Sequence, residues 1–229
     1  NWCCACVRRP LPTEHRIPIG LWSELGPGLR WANEGVSRVV GFLVEGAAAG
    51  GKYAFHIIVP AGMAETVRED LGQLEAVEGR DWKVWEPSGP TGGAGTGETA
   101  AVLADFANRN VPVDAWVVTF PHFAGSLRLT KPKATLYPDA LPYDFPIGWH
   151  DGAWDADGQW PQWRQTATEV MAGSDAVITF SEHVARRRAG PLCNVPLEKI
   201  RVVPLAPPDL APLLPFVQGR RQTTESRAA

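Results

Sequence analysis

Short apolar runs alternate along this chain with stretches whose apolar residues recur at helical spacing, and that alternation limits the fold more than any other feature. Residues 17–21, 55–60, 82–85, 115–120, 133–137, 176–180 and 200–203 read as strands, rich in β-branched and aromatic side chains. Between the first two, Val36, Val39, Val40, Leu43 and Val44 form one helical stripe behind Asn33, a residue suited to capping a first turn. Met63, Val67, Leu71 and Leu74 mark a second helix, Val102, Leu103 and Phe106 a third, and Trp163, Ala167, Val170 and Met171 a fourth. Ser181 opens a short fifth helix, which Arg186, Arg187 and Arg188 close ahead of Gly190. Parallel neighbours cannot be joined by tight turns, and each crossover helix must cover a sheet face. The expected fold is therefore α/β: an open, doubly wound, mainly parallel sheet with helices on both faces, Rossmann-like. Pro18 sits awkwardly in the first strand, because it cannot donate to a ladder.

With 229 residues, 45% of them hydrophobic and 21% charged, the chain can build a sizeable core, and disorder over most of its length is excluded. The balance of 22 Lys+Arg against 25 Asp+Glu leaves no positive excess for a nucleic-acid backbone. The longest strongly apolar stretch, 39–44, is too short to cross a bilayer. Cys3, Cys4 and Cys6 crowd one end and Cys193 stands near the other, which is not a disulfide framework and points to a reducing cytoplasm. A zinc site at the first three cysteines has only His15 nearby to complete it. We expect an N-terminal segment over 1–15, one domain over 16–209 and a linker over 210–229, since 204–215 holds five prolines and the end is polar.

In an open parallel sheet, ligands gather beyond the carboxyl ends of the strands. The loop after the first strand carries Gly26, Gly28 and Gly35 before a helix whose first amides can face an anion, with Ser37 and Arg38 beside them. It is not a dinucleotide fingerprint, because Trp31 stands where the third glycine belongs, and the glycines alone also suit a tight turn. The glycines of 88–97 lack the Lys-Ser/Thr ending of a triphosphate loop and read as a surface connection. Residues 134–163 combine Asp139, Asp144, Asp151, Asp155 and Asp157 with Tyr137, Tyr143, Trp149, Trp154, Trp160 and Trp163, and contain no Lys or Arg. Carboxylates that accept from hydroxyls and rings that cover a C–H face suit a polyol, although aromatics also pin long loops and acids also keep them soluble. Asp155 and Asp157 form an alternative two-carboxylate metal motif. For proton chemistry the candidates are His122 at the end of the fourth strand, His150, and His183 just after Ser181.

The segment from Ser174 through Val177-Ile178-Thr179 to Ser181-Glu182-His183, followed by Val195-Pro196-Leu197-Glu198-Lys199-Ile200-Arg201-Val202-Val203-Pro204, resembles the closing part of the N-terminal domain of GT-B glycosyltransferases. The likeness is strongest to the retaining group numbered family four. Asn33-Glu34-Gly35-Val36-Ser37-Arg38 looks like that family's glycine-containing loop after the first strand, which faces the cleft. Residues 137–146 resemble its His-Asp-Leu-x-Pro stretch in the acceptor cleft, with Pro138 where the family has His and Asp139 as the matched carboxylate. In element order the resemblance runs from Ile17 to Asp209.

That resemblance implies the acceptor-binding N-terminal half of a retaining hexosyltransferase that moves a sugar from a nucleotide-sugar donor to a carbohydrate or lipid-linked acceptor, as in polysaccharide biosynthesis. Asp139 takes the catalytic position, orienting the acceptor hydroxyl. Asp139, Tyr143, Asp144, Trp149, His122, Ser181 and His183 line the acceptor side, and Gly35, Ser37 and Arg38 form the donor-phosphate or cleft loop. No cofactor or metal is expected, the nucleotide sugar being a substrate held mainly by a second domain, and the isolated chain is expected to be inactive. Partners are the acceptor and the donor, without nucleic acid, and peripheral association with a membrane carrying the acceptor fits the same reading. The alternative is a non-catalytic carbohydrate-binding or scaffolding module.

Overall fold

The computed structural model describes residues 16–26, 31, 35–88, 97–138 and 160–204. The expected N-terminal segment and the linker over 210–229 lie outside them. Seven strands, β1 (Ile17–Trp22), β2 (Tyr53–Ile58), β3 (Trp82–Trp85), β4 (Ala115–Val118), β5 (Lys133–Tyr137), β6 (Ala176–Thr179) and β7 (Ile200–Val202), form one sheet. Its order is β3-β2-β1-β4-β5-β6-β7, and every pairing is parallel. The expected α/β doubly wound architecture is therefore present. The order reverses between β1 and β4, so the crevice of the fold opens at their carboxyl ends.

Successive side chains on a strand face opposite sides, so β1 serves two cores at once. Leu21 joins Ile57, Val84 and the buried faces of α1 (Gly35–Gly50) and α2 (Ala64–Leu71). Trp22 joins Ile58, Trp116, Val118 and the buried Leu103, Ala104 and Ala107 of α3 (Gly97–Asn110). Helix α4 (Trp160–Ala172) contributes Val170 to that second core, and Ala167 and Met171 to a third around Tyr137, Val177 and Ile200.

Pro18 is accommodated in a central strand by its position. In a parallel ladder the N–H and C=O of one residue point to the same neighbour. The Pro18 carbonyl accepts from the Asp114 amide at 2.9 Å, so its ring nitrogen faces the β4 side, one residue before β4 begins. Ile17, which faces β2, donates to Lys52. The missing donor thus falls where the ladder has not started.

After β6, the Ser181 hydroxyl accepts from the Val184 amide at 3.2 Å and caps α5 (Glu182–Val184), as its residue type suggests. The helix does not close ahead of Gly190. It widens into a π turn (Ala185–Ala189) that holds all three arginines, then continues as α6 (Gly190–Cys193), and Asn194 ends it with a φ of 52°. Gly190 keeps a right-handed φ of −64°, so it continues the helix, and the left-handed cap moves to asparagine, the other residue that tolerates it. Leu74 likewise falls beyond the end of α2.

Glycine at position 20 is required by packing. A Cβ there would lie 2.1 Å from the Trp116 ring, which crosses β1 at that point and meets Trp22 edge-on with centroids 6.0 Å apart. A Cβ on Gly46 of α1 would meet nothing within 4 Å. Gly20→Ala is therefore expected to cost about 3 kcal/mol or more in urea unfolding, because the obstruction is a fully buried indole. Gly46→Ala should stabilise by roughly 0.5–1 kcal/mol through helix propensity. Equal effects at the two positions would contradict the packing argument.

Candidate functional site

The carboxyl ends of β1 and β4 are fastened to each other and to β2. The Thr119 amide and hydroxyl both donate to the Trp22 carbonyl, at 3.2 and 2.8 Å, and the Ser23 amide donates to Ile58. From this rigid edge the two loops leave side by side. The loop after β1 carries Glu24, and α1, which follows it, carries Ser37 in its first turn. The loop after β4 carries His122 and then a 3-10 turn (Ala124–Arg128).

Glu24 lies largely buried across the switch point. Its Oε1 accepts from the Trp22 indole Nε1 at 2.7 Å and from the Gly125 amide at 2.8 Å. Burial drives its pKa up from 4.5 to about 7, and the bonds from Trp22, Gly125 and Ser126 pull the other way without overcoming it. Sequence reading placed this residue in the right loop but gave it no role. Its chemistry depends on an amide 101 residues further along the chain, and no local pattern announces that.

Both ring nitrogens of His122 are buried and have no hydrogen-bond partner among the described residues. Its ring sits between Phe120 and Trp163, with centroids at 4.7 and 4.8 Å. Burial pushes its pKa down from 6.5 to about 4, so near neutrality the imidazole is uncharged, with one N–H to give and one lone pair to receive. Leaving both unused is costly. Trp163, expected on the core face of α4, is instead 38% exposed, because it stands near the start of the helix and leans on His122.

The remaining expected site residues fall out unevenly. Ser37 is buried, and its hydroxyl has no partner among the described residues. Gly35 is the first residue of α1, and a Cβ there would meet nothing within 4 Å. Arg38 projects outward from the same turn. Ser181 is occupied with its cap and His183 is exposed on α5, both beyond the end of β6 rather than at the switch point. Asp139, Tyr143, Asp144 and Trp149 lie outside the described residues, as do His150, Asp155, Asp157 and the three N-terminal cysteines. Among the described residues no group of three His, Cys, Asp or Glu is placed to hold a metal, and no helix is long and apolar enough to cross a membrane.

A second depression, of about 550 Å³, lies past the ends of β2 and β3, lined by Gly62, Arg68, Trp85 and Glu86. Its polar groups are already engaged: Glu86 receives the amides of Gly62 and Ala64, and Arg68 pairs with Glu78 at 3.1 Å. The unsatisfied groups at the switch point make that crevice the stronger candidate.

No family model matches this chain, and no curated protein matches its sequence. Among solved structures it is similar to one described as UDP-glucose: anthocyanidin 3-O-glucosyltransferase in complex with UDP, at 11% identity and a TM-score of 0.46. The match covers 86% of this chain and 54% of that one, so this chain spans about half of its neighbour's length.

Glu24 and His122 give folding stability opposite dependences on pH. Folded Glu24 keeps its proton to higher pH than the unfolded chain, so its contribution is full below 4.5 and is lost as pH rises to about 7. Folded His122 resists protonation, so its contribution is full above 6.5 and is lost as pH falls to about 4. Relative to the native chain, Glu24→Gln should gain stability as pH rises through the first window, by at most roughly 3 kcal/mol, since a tenfold change in proton affinity is worth about 1.4 kcal/mol. His122→Phe should gain as pH falls through the second. Denaturation series for both variants across pH 4 to 8 check the signs, and parallel curves would refute them.

Proposed function

We propose that the domain is the acceptor side of a retaining glycosyltransferase, which moves a sugar from a nucleotide-sugar donor to a carbohydrate or lipid-linked acceptor. The observation that carries this reading is the buried, uncharged His122 imidazole with two unused nitrogens between aromatic rings, at the carboxyl end of the strand beside the switch point. A pyranose presents an apolar C–H face to a ring and hydroxyls at its rim that both give and accept hydrogen bonds. A neutral imidazole packed between aromatic rings has the groups for both contacts, whereas an anion would call for cationic side chains.

In this reading the side chains packed on His122 shift on binding, so that its ring nitrogens, buried in the free domain, reach an acceptor hydroxyl while Trp163 and Phe120 flank the sugar. Asp139 orients the reacting hydroxyl, with Tyr143, Asp144 and Trp149 completing the acceptor wall. Ser181 and His183 stand at its outer margin. The open space over Gly35 and the unpaired Ser37 hydroxyl in the first turn of α1 suit the donor phosphate, where the free amides of a helix start favour negative charge, and Arg38 adds a cation nearby. Donor and acceptor must be held together for transfer, so a domain that grips mainly the acceptor binds without turning over. The sequence resemblance over 174–183 and 195–204 supports the same reading, and the capped helix between β6 and β7 has the element order that the resemblance implies. A reducing, cytoplasmic setting with peripheral membrane contact belongs to the proposal.

Calorimetric titration of the chain with neutral oligosaccharides tests it. We expect saturable binding with a Kd of about millimolar order, weakened roughly tenfold by His122→Ala, the effect of losing one buried hydrogen-bonding contact. Absence of binding across a varied panel, or binding indifferent to His122, would sink the acceptor reading. Glycan binding without transfer by a longer product carrying this domain would favour the binding module.

A further inference from the structure

We infer that Glu24 is a positioning residue: reaching across from the loop after β1, its carboxyl holds the double turn after β4 in the shape that presents the His122 imidazole. The significance for binding rests on the acceptor reading above; the positioning itself rests on geometry.

Among the described residues His122 makes no hydrogen bond that could fix its ring. Its orientation therefore follows from its neighbours' packing and from the backbone that carries it. That backbone forms two consecutive turns, in which Phe123 donates to the Phe120 carbonyl at 3.3 Å and Ser126 donates to the Phe123 carbonyl at 3.1 Å, with the Ser126 hydroxyl on the same carbonyl at 2.6 Å. All three bonds are internal to the segment and say nothing about where it sits on the domain. Among the described residues, two side chains from outside tie it down. Asn108 of α3 holds the far end, through the Arg128 carbonyl and the Thr130 amide and hydroxyl. Glu24 holds the near end, through Gly125.

The near anchor tolerates little error. A Cβ on Gly125 would lie 2.9 Å from Glu24 Oε1, 2.9 Å from the Trp22 ring and 2.8 Å from the Ala100 carbonyl, so the turn is pressed against all three. The Trp22 indole fixes the same carboxyl oxygen from the other side. One oxygen atom thus joins a buried tryptophan of β1 to the backbone of the turn, three residues past His122. Remove it, and the Gly125 amide loses its acceptor while the turn keeps only its internal bonds and the Asn108 anchor at its far end.

The test follows the His122 ring by NMR in the full chain, its signal assigned by its absence in His122→Phe. In Glu24→Gln the side-chain carbonyl can still accept from Trp22 and Gly125, so the His122 shifts and titration midpoint should stay near native. In Glu24→Ala the midpoint should rise toward that of free imidazole by roughly one pH unit or more, as the loosened turn admits water. Glycan affinity should fall about as far as in His122→Ala, on the order of tenfold, with little further loss in the double variant. If Glu24→Ala fails to fold, Glu24→Asp replaces it, since one methylene less breaks the reach to Gly125. The positioning role is overturned if the alanine or aspartate variant leaves the His122 midpoint unmoved, or if the glutamine variant shifts it equally. A native chain that binds no glycan while His122 follows the expected pattern would remove the acceptor reading and leave the positioning role standing.

Discussion

The Trp116 indole lies across the backbone of β1 at Gly20, and the rest of the crevice depends on that contact. It sets how closely two strands nearly a hundred residues apart in sequence can approach, and it puts two tryptophans edge to face in one core. The Thr119 and Trp22 bonds then lock the same pair at the carboxyl end. Only with that edge rigid can the loop bearing Glu24 and the loop bearing His122 keep a fixed relation.

Buried polar groups are treated differently at the two ends of the sheet. At the amino end Asp81 is fully buried, but it meets Arg16, Arg80 and the Val77 amide. Burial alone would raise its pKa, and these partners more than offset that and hold it below the usual carboxylate range. Lys133 is also buried there; desolvation lowers its pKa and the Asp175 carboxylate partly restores it. At the carboxyl ends of β1 and β4, His122 and Ser37 have polar atoms with no partner among the described residues, and burial keeps the proton on Glu24.

The sheet was legible because strands buried on both faces read as near-continuous apolar runs, and none of the seven needed a distant partner to be recognised. Residues 82–85 and 133–137 come out with their expected bounds. The errors arise where a local rule had two solutions. Gly190 can end a helix or continue it, and Asn194 was the better terminator. Trp163 fits the helical stripe by spacing but stands near its edge, where a histidine from another loop takes it up. Pro18 looked awkward in the first strand because its neighbours' starting points were not visible in the sequence. The site was less legible than the fold. His122 could be placed at a strand end, but its lack of partners is a property of the packed structure, and Glu24 acquires its role from a glycine on a different strand's loop.

The opposed protonation of Glu24 and His122 has an electrostatic meaning for the crevice. Between about pH 4 and 7 an acid keeps its hydrogen and a base declines one, so neither contributes a full charge to the surface around them. Recognition by these two groups would run through oriented dipoles and ring faces, whose reach is a few ångströms and which mobile ions hardly attenuate. Whatever long-range pull the site exerts comes from groups outside this pair, such as the exposed Arg38, while the pair itself sorts visitors by shape and hydroxyl placement after they arrive.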